Sequence, residues 1–330
     1  MFDNLVNKHD ARLAWEKVAR GQWRRVWARL LGDSRRRTQL AWEKTEIPPT
    51  NWWDIPAVQR RWNELVSGDP EIGFNDYICS RYFAGRQRLH ALSLGCGTGV
   101  REQRWAASGQ FQRLEAYDLS PERIEFARRS AAENGHGDVI DFRVGDVYKV
   151  ELEPRAYDAV LVEGSLHHFS PLRQILARIG ECLKDGGVLV ADEFVGPTQF
   201  QWSERQLEVI NGLLAVLPPR FRTLWQSSEV KRPVFRPSRL LVRLGDPSEA
   251  VESEDILPLL HELFEVVEVK EYGGAVLHLL FHSIGHHFRG DDAETQRLLE
   301  LCFAAEDALM ASGDLGSDFA VVVCRKRKEN

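Results

Sequence analysis

Leu94-Gly95-Cys96-Gly97-Thr98-Gly99 is the segment that most restricts what this 330-residue chain can become. It follows the apolar run 91–94 and opens a helical stretch over about 100–109. Its three glycines therefore mark a tight passage from a strand into a helix. The same alternation continues downstream. Apolar runs at 114–118, 139–144, 158–163 and 187–194 are separated by helical patterns at about 121–134, 147–153 and 171–183. Short apolar strands with helices between them predict a parallel sheet covered on both faces. Ser120-Pro121-Glu122 supplies a cap, a proline at the first helical position and an acid in the first turn. Asp185-Gly186-Gly187 reads as a stop and a return into a strand.

Glycines after a strand let the backbone approach a ligand, with amide N–H groups and the helix N-terminus aimed at it. The spacing here is G-x-G-x-G with Val100 next, so the dinucleotide fingerprint G-x-G-x-x-G fails. Asp118 closes the second strand, where a carboxylate can accept from both hydroxyls of a ribose. Asp146, in Val144-Gly145-Asp146-Val147, closes the third, within reach of an adenine amino group.

In order, LGCGTG, YDLSPERIEFAR, VGDV, YDAVLVEGSLHHF and LKDGGVLVADEF resemble successive motifs of class I S-adenosylmethionine-dependent methyltransferases. The resemblance covers about residues 89–195, and apolar runs at 264–270 and 319–324 fit the family's closing strands. It implies a Rossmann-like, doubly wound, mostly parallel α/β sheet of seven strands, with S-adenosylmethionine as cofactor. It also implies a cofactor site formed by Leu94, Gly95, Cys96, Gly97, Gly99, Asp118, Leu119, Asp146, Val147 and Glu163. Many family members carry an acid two residues before the first glycine, where this chain has Ser93. Glu102, in the helix that follows, or an acid from the N-terminal arm is the expected substitute for the missing charge.

Methyl transfer from a sulfonium is an in-line displacement. The protein must align the acceptor and, where the acceptor has a proton, remove it. Neutral histidine suits that task. His168, then His167, with Glu163 behind, lie on the loop after the fourth strand and are the candidate catalytic residues; packing of that loop is the competing explanation. A second cluster, His278, His282 and His286, would stack on one face if it formed one helix. Packing and pocket lining are preferred for it over a metal, and no metal is assigned to the chain.

Outside this core the chain is unlike its centre. Residues 1–47 hold 11 Lys and Arg against 6 Asp and Glu, although the whole chain has a net charge of −6. Seven of the ten tryptophans fall before residue 63. Residues 10–44 read as a basic amphipathic helix, whose alternatives are packing on its own domain, a homodimer contact or a membrane surface. The domain expectation is a helical extension over 1–88, with the arm at 1–47 and a lid-like segment at 52–85. The methyltransferase domain then covers 89–330, with helical insertions at about 199–253 and 274–315. Five dispersed cysteines, no apolar leader in MFDNLVNKHD and no long apolar run predict a cytoplasmic protein without disulfides. The acidic balance argues against a nucleic-acid partner. The segment NWWDIPAVQRRWNELVSGDP resembles methyltransferases found with bacterial glycan-assembly enzymes, which implies a saccharide or glycolipid acceptor. Large insertions suit a natural product, lipid or quinone-like acceptor equally. The alternative to an enzyme is a binding module that holds the cofactor while the arm recruits a partner.

Overall fold

The computed structural model describes residues 4–5 and 48–327; the predicted arm helix over 10–44 lies outside them. Two helices lead in, α1 (Pro56–Ser67) and α2 (Phe74–Tyr82). The alternation follows as β1 (Leu89–Leu94), α3 (Val100–Ala107), β2 (Phe111–Asp118), α4 (Pro121–Glu133), β3 (Ile140–Val144), β4 (Tyr157–Glu163), α5 (Leu172–Cys182) and β5 (Leu183–Phe194). The insertions bring α6 (Glu204–Val216), α7 (Arg239–Gly245), α8 (Ile256–Leu263), β6 (Phe264–Gly273), α9 (Leu277–Phe281), α10 (Ala293–Ala311) and finally β7 (Phe319–Lys326).

The seven strands form one sheet in the order β3-β2-β1-β4-β5-β7-β6. The first five are mutually parallel, and β7 enters antiparallel between β5 and β6. The expected mostly parallel, seven-stranded sheet is therefore what forms. The order turns back on itself between β1 and β4, the kind of switch point where open α/β sheets bind ligands beyond the strand C-termini. Each face carries its own apolar layer, one around Trp105, Phe111 and Phe142, the other around Leu92, Leu176 and Leu189. That two-sided burial explains why the strands read as continuous apolar runs rather than alternating ones.

Local signals hold where side chains close them. Ser120 Oγ accepts from the Arg123 amide at 3.3 Å, so α4 starts where the sequence places it. One expected helix is absent. Residues 147–149 form a single turn, and the chain then runs on irregularly through 153, where Pro154 disfavours helical backbone at the residue before it. The helical insertion expected from about 199 does not open on one continuous helix. A short 3-10 turn spans Thr198–Phe200, with Gln199 and Phe200 left-handed, and α6 starts afresh behind a Ser203–Gln206 capping box.

The segment before the sheet shares its core. Trp52, Ile55, Val58, Ile78 and Phe83 are buried in the layer that contains Trp105. Tyr77 and Tyr82 both donate to Glu268 on β6, at 2.9 and 2.6 Å. Asn4 bonds Gln201 and the Pro237 carbonyl, and its own carbonyl accepts from the Arg239 amide at 2.9 Å, so the start of the chain meets the α7 insertion. No helix among the described residues is long and apolar enough to cross a membrane.

Candidate functional site

The C-terminal ends of β1, β2, β4 and β5 converge on one edge, tied loop to strand. The Gly95 and Cys96 amides donate to the Tyr117 carbonyl, and the Gly164 amide donates to Asp192. Gly95 and Gly99 take φ of 78° and 75°. A Cβ on Gly95 would lie 2.6 Å from Ser165 Cβ, and one on Gly99 would lie 2.5 Å from the Phe142 ring. Glycine is thus required twice over, by left-handed backbone and by close packing. The Leu94 carbonyl accepts from Ser165 Oγ at 2.7 Å, which fixes the turn against the loop after β4. Cys96 is buried, and burial pushes its thiol well above its ordinary value.

Asp118 sits at the end of β2, partly exposed. One carboxylate oxygen accepts from the Gly97 amide at 2.9 Å and the other from the Ser120 amide at 2.8 Å. The turn and the carboxylate hold each other in place, with Leu119 beside them partly exposed. Asp146 is engaged locally by Tyr148 and stands 3.4 Å from the Lys149 ammonium; Val147 next to it is buried.

Ser93 and Glu102 form a buried pair, with Ser93 Oγ donating to Glu102 Oε1 at 2.7 Å. The other oxygen of Glu102 is buried without a hydrogen-bond partner. Burial pushes the Glu102 carboxyl up to about 7. A carboxylate oxygen left without a donor beside the glycine turn fits the ammonium of S-adenosylmethionine, which brings one. The glycine turn, Asp118 and Glu102 together fit the cofactor's methionine and ribose parts.

Glu163 ends β4 with its carboxyl turned toward α3, where it accepts from the Trp105 indole; Arg101 of the same helix donates to its carbonyl. Burial raises Glu163 to about 7, against the pull of Arg101 and Trp105. Two acids the motif reading passed over adjoin it. Asp192 accepts from Tyr272 at 2.6 Å, and Glu193 is completely buried. Their signal was present as two charges inside the apolar run of β5. One Glu193 oxygen takes the amides of Ser165 and Leu166 at 2.6 and 2.7 Å, and the other faces His167 Nδ1 at 2.8 Å. Burial raises Glu193 to about 7 and pulls His167 down to about 3. His168 is also lowered, by burial and by His167 beside it, and its Nδ1 lies 3.3 Å from Ser248 Oγ.

The second histidine cluster does not form the stack its spacing suggests. The α9 helix ends at Phe281, His282 turns to extended backbone, and Ser283 is left-handed. The Gly285 amide then donates to the Thr50 carbonyl, which separates His286 from the helix. His278 packs among Trp52, Phe194 and Phe319 instead.

Residues 91–187 match the model of a methyltransferase domain. They run from β1 to the start of β5 and contain the glycine turn, Asp118 and the histidine pair. This is a class I methyltransferase domain. Its family is the one that uses S-adenosylmethionine. Curated relatives match over stretches of similar length. A ubiquinone biosynthesis O-methyltransferase of Methylocella silvestris is 32% identical over 103 residues, 31% of this chain and 39% of that protein. A malonyl-[acyl-carrier protein] O-methyltransferase of Acetivibrio thermocellus is 29% identical over 109 residues, 33% of this chain and 37% of that one. The chain thus spans about two fifths of the length of these curated relatives. Among solved structures, a geranyl diphosphate methyltransferase with its diphosphate and sinefungin aligns at 15% identity and a TM-score of 0.47, over 77% of this chain and 78% of that one.

The insertion contributes Glu249, whose Oε1 stands 3.8 Å from His167 Nε2. Its neighbours are stitched to the site: the Val251 amide donates to the His167 carbonyl at 3.0 Å, and Gln199 donates to Ala250. Beside it lies an open hollow of about 280 Å³ lined by Phe200, Pro237, Leu241, Val242, Gly245, Asp246 and Glu249. Sequence reasoning missed Glu249 and Asp246 because they belong to no motif and are joined to the site only by folding.

Proposed function

We propose that the chain transfers a methyl group from S-adenosylmethionine to an oxygen of a small acceptor with an apolar body. The observation that carries the reading is the Asp118 carboxylate. It is held by the Gly97 and Ser120 amides at the mouth of the glycine turn, each oxygen keeping capacity for a further donor. When bound, the cofactor supplies an electrophilic methyl on a sulfonium. Glu102 receives its ammonium, and Asp118 receives its ribose hydroxyls. Leu94, Gly95, Cys96, Gly97 and Gly99 shape the passage between them, while Leu119, Asp146 and Val147 border the adenine end.

At the other end, His167 and His168 are neutral at pH 7 because burial opposes their charging. The acceptor hydroxyl lies against His168, which orients it, and its proton leaves toward the group formed by the two histidines and Glu249. The apolar lining of the hollow favours a lipid-like or aromatic acceptor over a saccharide, whose hydroxyls would need polar partners. The relatives named as O-methyltransferases support oxygen as the nucleophile.

Labelled S-adenosylmethionine turned over against a panel of apolar phenols and alcohols, beside saccharides, tests the reading. Transfer to the apolar hydroxyl compounds is expected. Transfer to saccharides alone would overturn the acceptor class, and the absence of cofactor binding would overturn the whole reading.

A further inference from the structure

His167 Nε2 and Glu249 Oε1 face each other at 3.8 Å, too far for a hydrogen bond and close for two lone pairs. His167 Nδ1 lies 2.8 Å from Glu193, which leaves Nε2 as the ring nitrogen directed at Glu249. Two electron-pair donors held face to face in a largely buried site call for a shared cation. His168 completes the group. One ring nitrogen from each histidine and one Glu249 oxygen all lie within 4.8 Å of one another. We propose that His167, His168 and Glu249 bind one divalent transition-metal ion at the acceptor end of the site.

Four features of the site support it. Ligand atoms bonded tetrahedrally to one ion at about 2.0–2.2 Å stand roughly 3.3–3.6 Å apart, so the group needs closure of up to about 1.5 Å. Two imidazoles and one carboxylate select ions such as Zn2+ or Fe2+ over Mg2+ and Ca2+. The carboxylate behind His167 is the support that metal-bound histidines usually have, and Glu193 is itself fixed by the Ser165 and Leu166 amides. Three protein ligands leave coordination positions open, and Glu249 also lines the neighbouring hollow. This departs from the expectation of no metal drawn from the sequence, where Glu249 lies about 80 residues from the histidines.

Metal binding stands apart from the methyl-transfer reading; only the use of the ion, to hold and acidify the acceptor hydroxyl, rests on it. Chelated full-length protein is titrated with Zn2+ by calorimetry, without cofactor or acceptor. One Zn2+ per chain is expected, with affinity at least 100-fold weaker in both Glu249→Gln and His168→Asn and 10- to 100-fold weaker in Glu193→Gln. His286→Gln, in the other histidine cluster, is expected to bind as the wild type does. Asp118→Ala is expected to lose S-adenosylmethionine while keeping Zn2+, which separates failure of the two readings. No stoichiometric Zn2+ in the wild type, or equal affinity in the folded Glu249→Gln and His168→Asn variants, would overturn the proposal.

Discussion

The two ends of the proposed site are built by opposite means. At the cofactor end, partners lie close in sequence. Ser93 meets Glu102 nine residues on, and the Gly97 amide meets Asp118 after twenty-one. At the acceptor end, His168 meets Ser248 of the 199–253 insertion across 80 residues. Parallel β–α units bring consecutive strand ends to one edge, so a short motif can specify a cofactor site. Nothing comparable aligns an insertion, which needs its own anchors.

Glu306 is such an anchor, and it gives the largest expected effect. Completely buried, its Oε1 accepts from the amides of Gly274, Val276 and Leu277 at 3.0, 2.9 and 3.1 Å, at the N-terminus of α9. Glu306→Ala leaves three buried donors unsatisfied and Arg61 without that partner. A loss of about 3–5 kcal/mol in urea unfolding is expected. Because the anchor lies outside the cofactor end, the folded variant should bind S-adenosylmethionine within about threefold of wild type. A much larger loss of affinity would break the proposed independence of the two ends.

Asp118→Ala is the matching test at the cofactor end. Removing the ribose acceptor and the tether on Gly97 together is expected to weaken S-adenosylmethionine binding about 100-fold or more. That equals about 3 kcal/mol, the scale of two hydrogen bonds to a charge. Calorimetry with the cofactor or its demethylated product measures it. An affinity within fivefold of wild type would remove Asp118 from the site.

The same division decides what the sequence disclosed. The order of β1 to β5, the glycine turn, Asp118 and the histidine pair were legible because each lies within one β–α unit and carries its own local signal. The 147–153 helix was misread because a single turn forms after Asp146 and Pro154 disfavours its continuation. The His278–His286 stack, expected only if the segment were one helix, does not form because Gly285 donates to Thr50, a contact no periodicity encodes. Glu193 was visible as a charge in an apolar run, but its partner His167 emerges only once the β4 loop folds over β5. Glu249 carried no signal at all, since its place depends on Val251 and Ala250 being stitched to that loop and to Gln199.

Lys231 caps the other end of α9, donating to the carbonyls of Leu279, Leu280 and His282 at 2.6, 3.0 and 2.7 Å. A cation at a helix C-terminus satisfies terminal carbonyls and complements the macrodipole. Burial offsets part of that gain, pulling Lys231 down to about 7. Lys231→Met is therefore expected to cost less than Glu306→Ala, about 1–2 kcal/mol in the same unfolding measurement. A cost equal to that of Glu306→Ala would mean that the two ends of α9 contribute alike.

The smallest effect concerns pH at the cofactor end. Burial raises Glu102 to about 7, so near neutrality it is only partly ionised before the cofactor arrives. An ammonium beside its unpartnered oxygen favours the ionised form, so binding lowers the carboxyl pKa and releases a proton. The sign follows: affinity for S-adenosylmethionine rises with pH between about 6 and 8, by at most about tenfold for one proton per pH unit. In the free protein the same raised pKa acts the other way on stability. The protonated acid is the form burial prefers, so its contribution is full below about 4 and is lost as pH rises through 7. Glu102→Gln removes this charge while keeping an acceptor for Ser93. It is expected to flatten the pH dependence of cofactor affinity without abolishing binding, because Asp118 remains. A slope unchanged in that variant would move the proton to Glu163 or Glu193, both also raised to about 7, and would mean that Ser93 has no charged substitute at this turn.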